Sequence, residues 1–422
     1  MRDEAGTAGQ GGFMAGRGAI LARVWAHHDY RAILFVVLLL ALGTSSGTPL
    51  LSLFLVERVG IPLPAAGLFS ASIALPGLLL GIILGRRSDH WGSRLPFVRG
   101  GTIWVALGWG LLALSPFRWL TLTVGALFLS LAGTLMGLVF AALHDAMTRD
   151  AERQPALVNT LVRTGWSLGY VFGVLLGVQL AANVGYRGAF LGTAALYLAC
   201  LLPLATLRVP VRVATAAQED SGSRQRGDLL LYAFVALCAT VLSGQAIKNT
   251  FLPLAVTTHL GGTVATYGTI VAVSPIIELV TIPLAGLLAT RLGLGRLIAG
   301  GLVIGVLEYA ILGLNDRLWP LYLTQALDAC VVAVLLGLGV SYAQRLTPTR
   351  PGAASGLYFS ALNISILIGG ISGAATVPFL GIPRVFLLPA ALFALGTFAF
   401  LAIERQSERL HAEMPQPAAT HD

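Results

Sequence analysis

From Ala32 to Val56 the chain runs for 25 residues without a charged side chain. An α-helix of that length rises about 37 Å, enough to cross a hydrocarbon core of ~30 Å. Further apolar runs occupy about 64–85, 97–115, 120–145, 156–182, 187–207, 229–257, 264–289, 297–314, 319–343, 353–379 and 383–403. In lipid only helices and closed barrels satisfy every backbone group. Runs this long specify helices. The expected fold is an all-α integral membrane protein with twelve transmembrane helices.

Composition agrees. Charged residues make up 11% of the chain, against about 25% in a soluble domain, and the mean hydropathy is +0.81. The formal charge of +8 does not point to nucleic acid, because the basic residues punctuate the apolar runs and never gather on an aromatic-rich stretch. They set orientation instead. With both termini in the cytoplasm, 20 of the 27 basic residues fall in the termini and inner loops, counting Arg99 at the inner end of its run. Arg58, Arg118, Arg187, Arg317 and Arg384 lie outside, and Arg163 and Lys248 fall within runs.

The expected organisation is a cytoplasmic N-terminal tail at 1–31, a half at 32–207, a cytoplasmic linker at 208–228, a second half at 229–403 and a cytoplasmic C-terminal tail at 404–422. The apolar stretch Gly18–Val24 is too short for the core of a signal peptide. Cys200, Cys238 and Cys330 each lie in an apolar run, without metal-ligand spacing. No metal site is expected. A membrane-embedded enzyme would need a metal or nucleophile cluster, and the sequence offers no such spacing and no Gly-x-x-x-x-Gly-Lys-Ser/Thr loop. The expectation is that the chain is not an enzyme.

Ionisable groups inside membrane helices are expensive and mark functional sites or pairs. Arg163, Lys248, Glu278, Glu308 and Asp328 fall in runs, and His144 and Asp145 close the run at 120–145. Lys248 is the only lysine. Gln245, Lys248 and Asn249 share one helical face, as do Gln325 and Asp328, and Asn159 and Arg163. Asn363 lies near Ser360, and Thr44, Ser45, Ser46 and Thr48 precede Pro49. Gly169, Gly173 and Gly177 recur every fourth residue, a smooth face for close helix contact.

Between the second and third runs stands Gly85-Arg86-Arg87-Ser88-Asp89-His90-Trp91-Gly92-Ser93-Arg94, read as a short charged turn of the form Gly-x-x-x-Asp-x-x-Gly-x-Arg. Asp89 suits a helix N-terminus, and Arg94 suits a carboxylate partner such as Asp145. A degraded copy follows 201 residues later, Gly286 to Arg296, with Thr290 where Asp89 stood. The spacing resembles the loop between helices 2 and 3 of the major facilitator superfamily. That resemblance implies two six-helix halves and a cytoplasmic gate built from Gly85, Asp89, Gly92, Arg94 and Asp145. The glycine stripe loosely resembles the glycine-rich helix 5 of antiporters in that superfamily, without its proline; packing alone explains it equally well.

A narrower resemblance is to the bacterial sugar efflux transporters. It rests on Pro49 to Leu55, Gly67-Leu68-Phe69, Arg87-Ser88-Asp89, Arg163, Pro253-Leu254, Glu278, Ala285-Gly286, Gln325, Arg350 to Gly356 and Asn363. It implies export of sugars or glycosides across the inner membrane, driven by protons and without a further cofactor, by a monomer. The substrate-binding candidates are then Arg163, Asn159, Gln245, Lys248, Asn249, Gln325 and Asn363. Amides and hydroxyls in one cavity suit sugar hydroxyls, which both donate and accept. Glu278 is the expected principal proton carrier and Asp328 its partner, with Lys248 as counter-charge. A permanent ion pair with Lys248 is the structural alternative. Glu308 lies on a helix peripheral in that fold and reads as structural. Lys248 and Asp328 depart from the family's pattern, and the acid expected near Phe251 is absent. A multidrug exporter of the same fold is the competing function.

Overall fold

Glycine sets the bend in the longest apolar stretch. The computed structural model describes residues 25, 27–90, 93–114, 118–149, 155–207, 226–347 and 351–413. Among the described residues every regular element is helical. In chain order these are α1 (His28–Leu53), α2 (Leu63–His90), α3 (Leu95–Leu114), α4 (Arg118–Phe128), α5 (Leu131–Arg149), α6 (Pro155–Ala199) and α7 (Leu201–Thr206). They continue as α8 (Arg226–Val241), α9 (Ser243–Leu254), α10 (Val264–Leu292), α11 (Leu294–Leu314), α12 (Trp319–Leu346), α13 (Pro351–Leu380) and α14 (Leu387–Glu413).

Eleven helical stretches among the described residues are long and apolar enough to cross a membrane. The longest, Val162–Thr206, has 45 residues. Straight, it would measure about 67 Å, more than twice a bilayer core. It bends at Gly185, whose φ of 80° and ψ of 178° are not helical. The break falls in the gap at 183–186 between two expected runs.

Two expected boundaries move. The charged turn expected from Gly85 begins later, because α2 stays helical to His90. The last helix, expected to stop at 403, continues to Glu413. Charge alone does not end a helix whose inner face is covered, and Ser407 is buried. Glu404 accepts from the Tyr342 hydroxyl of α12 and pairs with Arg345 Nη1 at 3.7 Å.

Contacts divide the chain into two units, Met1–Leu50 with Leu79–Ala216, and Leu51–Leu78 with Ala217–Asp422. Residues 51–78, expected with the first half, therefore pack with the second unit. In the first unit α1 lies against the glycine stripe of α6. A Cβ at Gly169 would stand 2.9 Å from Ala41 Cβ, one at Gly173 2.8 Å from Leu42 Cα, and one at Gly177 2.7 Å from Ser46 Cα. The stripe is a helix-packing face. Beyond the bend, Thr44 Oγ1 and Tyr197 Oη are 2.8 Å apart, and Ser46 Oγ and Thr193 Oγ1 2.9 Å. The Ser/Thr cluster of α1 thus serves helix pairing.

In the second unit α2 and α13 touch backbone to backbone. A Cβ at Gly67 would lie 2.7 Å from Gly370 O, and one at Gly370 2.8 Å from Ala71 N. Ser70 Oγ and Thr250 Oγ1, 3.0 Å apart, tie α2 to α9.

One backbone device occurs twice. A wide helical turn follows α1 at Phe54–Arg58, closed by Val59 N–H to Phe54 O at 3.0 Å and Ile61 N–H to Leu55 O at 3.1 Å. After α9 the same turn spans Ala255–His259, closed by Leu260 N–H to Ala255 O at 3.0 Å and Gly262 N–H to Val256 O at 2.8 Å. Gly60 (φ 69°) and Gly261 (φ 67°) occupy matching positions. The offset is 201 residues at every point, the spacing of the two loop motifs in the sequence.

Candidate functional site

The buried charged residues of the second unit, Glu308 and Asp328, converge on Lys248. It sits on α9, a short helix that restarts after a break at Leu242, where Ser243 Oγ donates to Thr240 O at 2.6 Å. Close contact holds α9 in place. A Cβ at Gly244 would stand 2.8 Å from Pro389 Cβ, and one at Gly369 2.7 Å from Ala246 Cβ.

Lys248 is buried. Its Nζ lies 2.9 Å from Glu308 Oε1 on α11 and 2.5 Å from Asp328 Oδ1 on α12. It also stands 5.9 Å from the centroid of the Tyr309 ring, within range of a cation–π attraction. Glu308 is fully buried and Asp328 6% exposed. Two further donors reach Asp328: Gln245 Nε2 to Oδ1 at 2.5 Å and Ser274 Oγ to Oδ2 at 2.8 Å. Ser274 Oγ also lies 3.2 Å from Glu278 Oε1, linking the acid of α10 to the cluster. Glu308 Oε2, the Tyr309 hydroxyl and Gln325 Nε2 are buried without a hydrogen-bond partner.

Buried ion pairs stand only when Coulomb attraction and hydrogen bonds offset desolvation. One ammonium here faces two carboxylates directly and a third through a serine. The two carboxylates that Lys248 touches directly share a single ammonium. No group of metal-ligating side chains occurs among the described residues.

A family model described as Major Facilitator Superfamily matches residues 33–247 and 233–420. The chain belongs to the major facilitator superfamily. A candidate sugar efflux transporter of Deinococcus radiodurans is 32% identical over 370 residues, covering 84% of this chain and 93% of that one. Sugar efflux transporter A of Dickeya chrysanthemi is 29% identical, covering 80% and 86%. Sugar efflux transporter A of Escherichia coli K12 is 27% identical, covering 87% and 94%. Among solved structures, the nucleoside transporter NupG superposes with a TM-score of 0.71 at 18% identity, over 90% of this chain and 99% of that one. A peptide transporter POT in complex with sulfate gives 0.77 at 14% identity, over 92% and 96%. At such identities the likeness concerns the fold. The chain is a multi-pass membrane transporter and not an enzyme.

The remaining candidates of this transporter fall as follows. Gln245 and Lys248, expected to meet a ligand, turn their donors onto Asp328. Asn249, one residue on, is exposed. Gln325 is buried. Asn363 is exposed, with Nδ2 3.4 Å from Phe359 O on its own helix. Arg163, in the first unit, is exposed. Also in the first unit, Arg94 Nε donates to Asp145 Oδ2 at 2.8 Å, joining α3 to α5. Gly85 lies on α2. Gly92 lies outside the described residues, as do the side chains of Asp89 and Asn159. Glu308, read from the sequence as structural, stands beside Lys248. Its signal was an acid alone in the run at 297–314 opposite a single lysine, and the helix's usual peripheral place concealed it.

Proposed function

We propose that the transporter exports sugars or glycosides across the bacterial inner membrane by alternating access, in exchange for protons, with both termini cytoplasmic. The observation that carries the substrate class is the set of sugar efflux relatives aligned along 80% or more of the chain. The buried, charge-unbalanced cluster around Lys248 supports the exchange of protons. Sugar contacts in the second unit fall to Asn249, Gln325 and Asn363. An amide turned toward hydrocarbon is costly, so the exposed Asn249 and Asn363 face water on the substrate's path. Arg163 and Asn159 serve the same role in the first unit. Arg94 and Asp145, with Asp89, form the cytoplasmic gate.

Counterflow of labelled sugars in proteoliposomes tests the substrate class. Saturable sugar exchange is the expected result, and exchange of cationic dyes with no response to any sugar would overturn it. Asn363→Ala should weaken sugar binding about tenfold, the equivalent of one hydrogen bond, with unfolding unchanged. Undiminished binding would remove Asn363 from the site.

A further inference from the structure

We propose that the exchangeable proton resides on Glu308, on the oxygen Oε2, while Asp328 stays charged and Lys248 moves between them. The proposal rests on the proton-exchange reading above. Its argument is the unequal way in which the two buried carboxyls are bonded.

Asp328 accepts from three donors, Lys248 Nζ, Gln245 Nε2 and Ser274 Oγ, which occupy both of its oxygens. Donors converging on a carboxyl favour its charged form. Glu308 accepts only from Lys248, through Oε1, and its Oε2 is buried without a partner. One ammonium cannot neutralise two carboxylates, and like charges sharing a low-dielectric site keep a proton between them. The bare Oε2 is where an O–H bond forms without displacing an existing donor.

The other groups around Glu308 do not alter this count. Tyr309, next in the chain, has a buried hydroxyl without a partner. From α10, Glu278 reaches the cluster through Ser274. From α14, Phe393 packs 5.4 Å from the Tyr309 ring, and Glu404 lies further along, where a Cβ at Gly295 would meet it. Arg384, on the short turn before α14, is exposed.

Proton release breaks the O–H bond at Oε2, leaves the electron pair on the carboxylate and passes the proton to water. The charged Glu308 then draws Lys248 away from Asp328. Gln245 and Ser274 remain on Asp328 with one competitor fewer, which shifts the face of α9 that also carries Asn249. Occupancy of one oxygen is thereby converted into movement of α9 against α12.

The test uses purified full-length protein in proteoliposomes with radiolabelled glucose and lactose. Wild type should perform counterflow and accumulate sugar against its gradient when a pH gradient is imposed. Glu308→Gln should keep counterflow and lose the pH-driven accumulation, and Glu308→Asp should restore part of it. Accumulation by Glu308→Gln that still follows the pH gradient would overturn the assignment. A wild type that exchanges sugar yet ignores the pH gradient would refute proton exchange itself, and the assignment with it. Should Glu308→Gln not fold, infrared spectroscopy decides. The carbonyl band of a protonated carboxyl should be present in wild type and in Glu278→Gln, and its disappearance from the latter places the proton on Glu278.

Discussion

Lys248 ties α9 to α11 and α12 through two buried carboxylates. Removing one member of a buried ion cluster leaves the others uncompensated, which typically costs about 3–5 kcal/mol. Lys248→Met should therefore lower thermal stability strongly, whereas Glu308→Gln should lower it far less, because the amide oxygen still accepts from Nζ. Thermal unfolding in detergent compares the two. Equal losses would mean that Glu308 is charged at rest. Much of this was legible in the sequence: a single lysine in an apolar run needs acids, and Asp328 was one of the two acids named. From the sequence, the usual position of each helix favours Glu278 over Glu308. A glutamate on a flanking helix is long enough to reach inward, and only the packing of α11 on α12 reveals that it does.

Helices here are held at chosen points, and those points differ in kind. The α1–α6 contact admits no Cβ, since Gly177 lies against the backbone of Ser46. Gly177→Ala should destabilise by about 2 kcal/mol through overpacking. Gly110→Ala on α3, where a Cβ meets nothing within 4 Å, should be neutral or stabilise by up to about 1 kcal/mol through helix propensity. Unfolding midpoints of the two variants check the contrast. The Arg94–Asp145 pair acts by charge instead of shape, with each side chain 12% exposed. A double-mutant cycle with Arg94→Ala and Asp145→Ala should return a coupling of about 1 kcal/mol; additive losses would deny the pair any joint role. Helix existence was readable from the apolar runs, but helix ends were not. The continuation to Glu413 is a polar segment held by the buried Ser407 and by the bonds of Glu404 to Tyr342 and Arg345, which leave no apolar signature.

At the scale of the whole molecule, the 201-residue repeat was visible first as two glycine-rich loops and then, independently, as two identical wide turns. Because Gly60 and Gly261 hold φ near 70° in the same setting, alanine at either should cost a similar amount, roughly 1–2 kcal/mol. Thermal unfolding of Gly60→Ala and Gly261→Ala measures this, and a clear inequality would mean that only one turn bears on stability. The division of the chain was less legible. No property of residues 51–78 taken alone says that they pack with the second unit, since a smooth Gly67 face fits any helix with a matching glycine.

The paired turns also supply an internal ruler. Counting back 201 residues from Lys248 and Glu278 reaches Gly47 and Gly77, residues without a side chain to ionise. The chain reads as a tandem duplication whose copies kept the same folding instructions and then diverged in what they carry. Laid on this register, each position is its own experiment. Where both copies hold glycine, the backbone makes the same demand twice; where one copy carries a charge and the other glycine, the charge answers to its own half alone.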